Sequence, residues 1–182
     1  MLHIDRILFP TDGSESAEFA RRHATFLADR HGATLHVLHV EEREPDWDDV
    51  IDVTETDVLA DLNVDVDHLD VSPSRVVQHS LAHPSAAGGI LSYSAEHDID
   101  LIVMGTHGRR GVRRLFMGSV AEEVVRRSEC PALTVVAPER EVEPKAAVER
   151  ILVPIDFSKH TDLLIDHVRE IALAYDSGVD LL

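Results

Sequence analysis

Asp100-Leu-Ile-Val-Met104 runs directly into Gly105-Thr-His-Gly108-Arg-Arg-Gly-Val-Arg-Arg-Leu-Phe-Met-Gly118-Ser119, and from there into Val120-Ala-Glu122-Glu-Val-Val-Arg-Arg127. The short apolar run has the character of a strand buried on both faces of a parallel sheet. The last segment reads as a helix. Ser119 and Glu122 have capping-box spacing, which places the helix start at Ser119. Glycines stand at 105, 108, 111 and 118, and Arg109, Arg110, Arg113 and Arg114 lie between them. A glycine-bearing loop between a strand and a helix N-terminus can wrap a phosphate with backbone N–H groups, and the helix dipole favours the anion.

The residues before this stretch repeat the strand–helix alternation. Ile4–Phe9 is an apolar run closed by Pro10, a first strand. Asp12-Gly-Ser-Glu15 follows, then a helix over 15–31 with Ala17, Ala20, Ala24, Phe26, Leu27 and Ala28 as its apolar surface. Gly32 ends it as a helix-terminating glycine does. Thr34–Val40 is the second strand. Residues 41–57 carry nine acids against one arginine and contain Trp47, the only tryptophan, so this segment is a solvated loop or a cation-collecting lid. A short helix is expected near Thr54–Leu62. Val76–Leu81 is the third strand. Ser85 caps a helix reaching His97, with Gly88 and Gly89 working against it. Leu101–Met104 and Ala132–Val136 are strands four and five. This order predicts an α/β fold, an open doubly wound parallel sheet with helices on both faces. Ligands of such sheets bind beyond the carboxyl ends of the strands, where the strand order reverses.

A charged, proline-bracketed linker, Pro138–Lys145, comes next. After it the chain repeats itself at an offset of 144. Arg150, Ile151, Leu152, Pro154, Asp156 and Ser158 are identical to Arg6, Ile7, Leu8, Pro10, Asp12 and Ser14, and His167 matches His23. A helix over 160–175 and a strand at Val179–Leu182 complete the parallel. The expected organisation is therefore a domain over 1–137, a linker over 138–148, and a second repeat over 149–182 that stops after β-α-β. Such a piece cannot bury both faces of a parallel sheet alone.

Thirty-four acids face seventeen bases, a net charge of −17, and the only lysines are Lys145 and Lys159. That surface repels nucleic acid and acidic membranes. An acid-rich, lysine-poor surface on a chain with 44% hydrophobic residues suits a high-salt cytoplasm, where screening removes self-repulsion. No stretch has the length of a membrane span and the N-terminus has no apolar signal core, which points to the cytoplasm. The single cysteine, Cys130, leaves no intramolecular disulfide and reads as a small buried hydrophobe.

The glycine spacing G-x2-G-x9-G-S, the opening Arg6-Ile-Leu-Phe-Pro-Thr-Asp12-Gly-Ser and the ending Cys130-Pro-Ala-Leu-Thr-Val-Val136 together resemble the universal stress protein family, in its ATP-binding branch. The resemblance covers 3–137 and starts again near 149. It implies a Rossmann-like sheet of order 3-2-1-4-5, so that strands one and four flank the reversal. It implies that Pro10, Thr11 and Asp12 line the nucleoside end and that the Val40 backbone meets adenine. Met104 would lie against base or sugar. Gly105, Gly108 and Gly118 would let the backbone approach a triphosphate, with Arg109, Ser119 and Val120 on the phosphates. The cofactor implied is ATP, with magnesium carried in on it. The partner implied is a second copy, joined through Leu133, Thr134, Val135 and Val136 of the fifth strand.

Plainer roles stand beside these. Asp12 has the spacing to cap the first helix, with Glu15 three residues on. Ser119 can cap its own helix. The four arginines and His107 fit a solvated loop equally well, and Asp156 fits a structural remnant. Among the twelve histidines only His36/His39 and His79/His83 are close pairs; the first would face opposite sides of a strand and the second is expected to run from strand to loop, so neither reads as a metal site. The loop has no Walker-type lysine and no obvious catalytic base, and nucleotidyl-transferase signatures are missing. A nucleotide-dependent stress-response or signalling module without rapid turnover follows. The alternatives are a slow ATPase of the same fold or a dimerisation scaffold that binds no nucleotide.

Overall fold

The computed structural model describes residues 3–43, 75–106, 117–136, 148–155 and 161–182. The acidic segment beyond residue 43 with its expected short helix, the loop stretch 107–116, the linker and Asp156 lie outside them. In chain order the elements are β1 (Arg6–Pro10), α1 (Glu15–His31), β2 (Thr34–Glu42), β3 (Val76–His83), α2 (Ala86–Glu96), β4 (Leu101–Gly105), α3 (Ser119–Arg127) and β5 (Ala132–Val135). Their strands form one sheet of order β3-β2-β1-β4-β5, parallel throughout. The expected fold class and strand order are those observed.

Ile7, Leu8 and Phe9 of β1 are all fully buried, as a central strand covered on both faces requires. Leu8, Leu38, Ile102 and Met104 join Ile90 and Tyr93 of α2 and Ala121 and Val124 of α3 in one core cluster. Burying each such aliphatic side chain contributes about 1.5–3 kcal/mol. Gly105, the neighbour of Met104, faces the other way, onto Ser16 of α1. Alternation along β4 thus puts α1 on one face of the sheet and α2 with α3 on the other.

Helix α1 starts and stops where the sequence indicates. Ser14 is its N-cap, its hydroxyl accepting from the Ala17 N–H at 3.2 Å. Gly32 takes the left-handed conformation at φ 69° and donates to the Ala28 and Asp29 carbonyls. Glu15 and Glu18 in the first turn and Arg30 in the last complement the dipole. The alternative in which Asp12 caps this helix is corrected: Ser14 holds that position.

Helix α2 is capped by Ser85, whose hydroxyl accepts from Gly88 N–H at 3.1 Å. Its two glycines, unfavourable by propensity, answer a packing demand. A β-carbon at Gly89 would lie 2.8 Å from Val40 Cγ1, and one at Gly88 would run into the His83 imidazole. Helix α3 does begin at Ser119, but the capping box does not form. The N-cap is Gly118, in an extended conformation, and no side chain caps it. Its N–H is tied to the Thr106 carbonyl at 2.6 Å, and the helix start is as expected while the cap is Gly118 in place of Ser119.

The chain divides into two compact units, Ile4–Ala137 and, with Met1–His3, Pro138–Leu182. The second contains β6 (Arg150–Val153), α4 (Thr161–Tyr175) and β7 (Gly178–Leu181), with β6 and β7 parallel. Individual hydrogen bonds recur at the offset of the sequence repeat. Thr34 N–H to Asp5 O at 2.7 Å becomes Gly178 N–H to Glu149 O at 2.9 Å, and Thr11 N–H to Leu38 O at 2.9 Å becomes Ile155 N–H to Leu182 O at 2.9 Å. Burial recurs only in part: Phe9 and its counterpart Val153 are both buried, but other pairs differ. Leu8 and Leu38 are 0% exposed, and their counterparts Leu152 and Leu182 are 63% and 77% exposed.

Candidate functional site

Strand β1 is flanked by β2 and β4, with Ile7 opposite Leu101 and Leu8 opposite Ile102 on the β4 side. The connection leaving β1 runs to β2 and the one leaving β4 runs to β5, so the two chain segments diverge and open a crevice between their carboxyl ends. Residues more than ninety positions apart are brought to one place: Pro10, Thr11 and Asp12 on one side, Gly105 and Thr106 on the other.

The β1 side is a tight turn held by its own side chains. Thr11 is buried; its N–H continues the ladder to Leu38 O at 2.9 Å, and its hydroxyl accepts from Gly13 N–H at 3.1 Å. Gly13 sits at φ 70°, a conformation glycine adopts without penalty. Asp12 Oδ1 accepts from Ser14 N–H at 3.0 Å, an Asx turn directly preceding the helix cap. The Thr11 carbonyl is met by His39 Nδ1 at 3.0 Å.

On the β4 side, Thr106 N–H donates to Val135 O at 3.0 Å and Thr106 O accepts from Gly118 N–H. The loop that leaves β4 is therefore pinned at its base. The first intrahelical bond of α3 runs from Glu122 N–H to Gly118 O at 2.9 Å. The amides of Ser119, Val120 and Ala121 are left without an intrahelical acceptor, as at any helix start. With no side-chain cap and an exposed Ser119, this end can present N–H groups and a hydroxyl to an anion.

Not every expected residue faces the crevice alone. Met104 is buried in the core cluster with Ile90 and Val124, and the side chain of Val120 packs against that cluster too. Val40 is partly buried against it and touches Gly89 of α2, so what β2 offers at this point is backbone. Gly105 is required by α1 whatever it binds, since Ser16 occupies the space of a β-carbon. Gly108, Arg109 and His107 lie outside the described residues. The sequence pattern marks neither Thr106 nor His39, because Thr106 acts through its backbone and His39 through a ring bond to a carbonyl distant in sequence. Cys130 has its thiol pushed up by burial and bonds with Ser128, in keeping with an inert structural residue. Among the described residues no cluster of His, Cys, Asp or Glu is arranged to hold a metal, and no helix is long and apolar enough to cross a membrane.

Fold and crevice define the class: a Rossmann-like α/β protein with an open crevice at the switch point of a 3-2-1-4-5 sheet. Residues 3–136 match the model of the universal stress protein family, and the chain belongs to that family. A universal stress protein of Methanocaldococcus jannaschii is 28% identical over 144 residues, 75% of this chain and 84% of the relative. The universal stress protein of Archaeoglobus fulgidus in complex with dAMP superposes with a TM-score of 0.51 at 22% identity, over 74% of this chain and 98% of that one. A Pseudomonas aeruginosa protein described as functionally unknown superposes with a TM-score of 0.70 at 18% identity, over 98% of this chain and 60% of that one.

Proposed function

We propose that this chain is an ATP-binding universal stress protein, a nucleotide-dependent stress-response or signalling module without rapid turnover. The observation that carries the reading is the meeting of the Thr11–Asp12 turn with the Gly105–Thr106 exit and the uncapped start of α3. Thr11 and Asp12 take the nucleoside, the Val40 backbone takes adenine, and Gly108, Arg109, Gly118, Ser119 and Val120 take the phosphates, with magnesium arriving on them. The dAMP carried by the Archaeoglobus relative supports an adenine nucleotide. The loop has no lysine and no obvious general base, which favours holding the nucleotide over cleaving it.

The proposal extends to assembly and setting. The chain pairs with a second copy through Leu133–Val136, residues 149–182 open a second repeat of the same fold, and the acidic surface is matched to a salt-rich cytoplasm. The test is the nucleotide content of protein purified in molar potassium chloride, read by chromatography and mass after denaturation. Near-stoichiometric ATP is expected. An empty protein that also fails to take up added ATP with magnesium would overturn the reading in favour of the scaffold. Phosphate released within minutes would favour the ATPase.

A further inference from the structure

Backbone pairing between β1 and β2 stops at Pro10 opposite Leu38, while β2 runs on beside β3 as far as Glu42. At that divergence the Thr11 N–H still finds Leu38 O, and the Thr11 carbonyl is met by a side chain, His39 Nδ1 at 3.0 Å. A carbonyl oxygen only accepts, so the proton of this bond sits on Nδ1, which fixes the tautomer when the ring is neutral.

His39 is itself held firmly. It lies within the β2–β3 ladder, opposite Ser80, and is half-buried. The turn it grips is short and is also bonded within itself: Thr11 Oγ1 to Gly13 N–H, Asp12 Oδ1 to Ser14 N–H, Ser14 Oγ to Ala17 N–H. Those bonds fix the shape of the turn. The bonds to Leu38 and His39 fix its place against the sheet. The residue after His39 is Val40, so one imidazole ties the turn on β1 to the strand position that would meet the base.

We propose that His39 is a positioning residue: its Nδ1–H holds the Thr11 carbonyl and so sets Thr11 and Asp12 at the place and angle that the nucleoside end of the ligand needs. This rests on the nucleotide reading above. A site residue held by a bond from a rigid element does not have to be ordered by the ligand, and that ordering would otherwise subtract from affinity.

The test compares His39→Leu with His39→Asn, whose Nδ2–H stands where the imidazole Nδ1–H does. ATP with magnesium is titrated calorimetrically in molar potassium chloride, and amide exchange is followed at Gly13 and Ser14 without nucleotide. His39→Leu is expected to bind ATP about tenfold more weakly, the worth of one hydrogen bond, and to exchange faster at both amides. His39→Asn is expected to keep the wild-type values. A purely structural role for the ring would lower the denaturation midpoint of both variants alike and leave no rescue. Equal ATP affinity and equal exchange in wild type and His39→Leu overturn the proposal, as does an Asn variant as weak as the Leu variant. If the wild type takes up no ATP, the nucleotide reading falls by itself. Faster exchange in His39→Leu would then still uphold the tether, and unchanged exchange would remove it.

Discussion

A β-carbon at Gly105 would lie 2.5 Å from Ser16 Oγ and 2.8 Å from the Ser16 carbonyl carbon and oxygen. The exit of β4 and the first turn of α1 therefore touch backbone to backbone, and the floor of the crevice depends on that contact. Even Gly105→Ala must push α1 away, an overpacking cost of about 1–3 kcal/mol. The expected result is a lower denaturant midpoint with an unchanged slope, together with weaker nucleotide uptake. An unchanged midpoint would mean that α1 gives way freely.

Gly118 makes a different demand. Its φ of −66° and ψ of 155° are open to any residue, so a side chain there strains nothing in the backbone. As the N-cap it directly precedes the α3 amides that are proposed to meet the phosphates. Gly118→Val is expected to abolish ATP binding while leaving the far-ultraviolet circular dichroism as in the wild type. Retained binding would show that the phosphates lie elsewhere.

Toward the amino end of β2, His36 places Nδ1 2.9 Å from the Tyr93 hydroxyl, and the rings of His79 and His97 lie within 6 Å of the same pair. Burial pulls the His36 pKa down from 6.5 to about 4, with lesser contributions from the charges of His97, His79 and Arg6. Between those values the unfolded chain holds the proton and the folded chain does not. Stability is thus complete above pH 6.5 and falls as the pH drops toward 4, by at most about 1.4 kcal/mol per pH unit. His36→Asn keeps a partner for Tyr93 and does not titrate. Chemical denaturation at pH 7, 5.5 and 4.5 should show the variant losing less stability than the wild type. Parallel losses would assign the acid sensitivity to other groups.

The net charge of −17 makes a prediction about salt. Self-repulsion among surface acids is screened with a Debye length of about 10 Å at 0.1 M salt and 3 Å at 1 M. The thermal midpoint should rise steadily from dilute buffer into molar potassium chloride, and nucleotide-free protein should be the most sensitive. A midpoint independent of salt would remove the argument for a salt-rich cytoplasm.

Much of this arrangement is legible in the sequence, because parallel strands buried on both faces write themselves as apolar runs and α1 carries its own stop at Gly32. The order of the sheet is not written in periodicity; it came from the family resemblance. Local rules failed where a distant segment intervened. The Ser119–Glu122 pair fits a capping box, but the cap is Gly118, whose N–H is held by the distant Thr106 carbonyl. Gly88 and Gly89 weaken a helix by propensity, and only the closeness of His83 and Val40 explains them. His36 and Tyr93 stand 57 residues apart, and His39 and Thr11 stand 28 apart. Neither spacing hints at contact before the strand order is known.

The edge of the sheet carries the remaining prediction. Strand β5 pairs with β4 on one side, and its other edge is the one proposed to meet a second copy. Its residues do not report on that edge equally. Val135 is buried at 9% exposure within its own unit, so a charge there would damage the fold as well as any interface. Val136, next in sequence, is 55% exposed. Val136→Glu is therefore the substitution that separates the two effects: it adds like charge across a two-fold contact without entering the core. Light scattering in high salt should give a dimer for the wild type and a monomer for Val136→Glu, with the same denaturation slope per chain. A dimer that survives the substitution would place the contact elsewhere. A monomeric wild type would remove the pairing altogether.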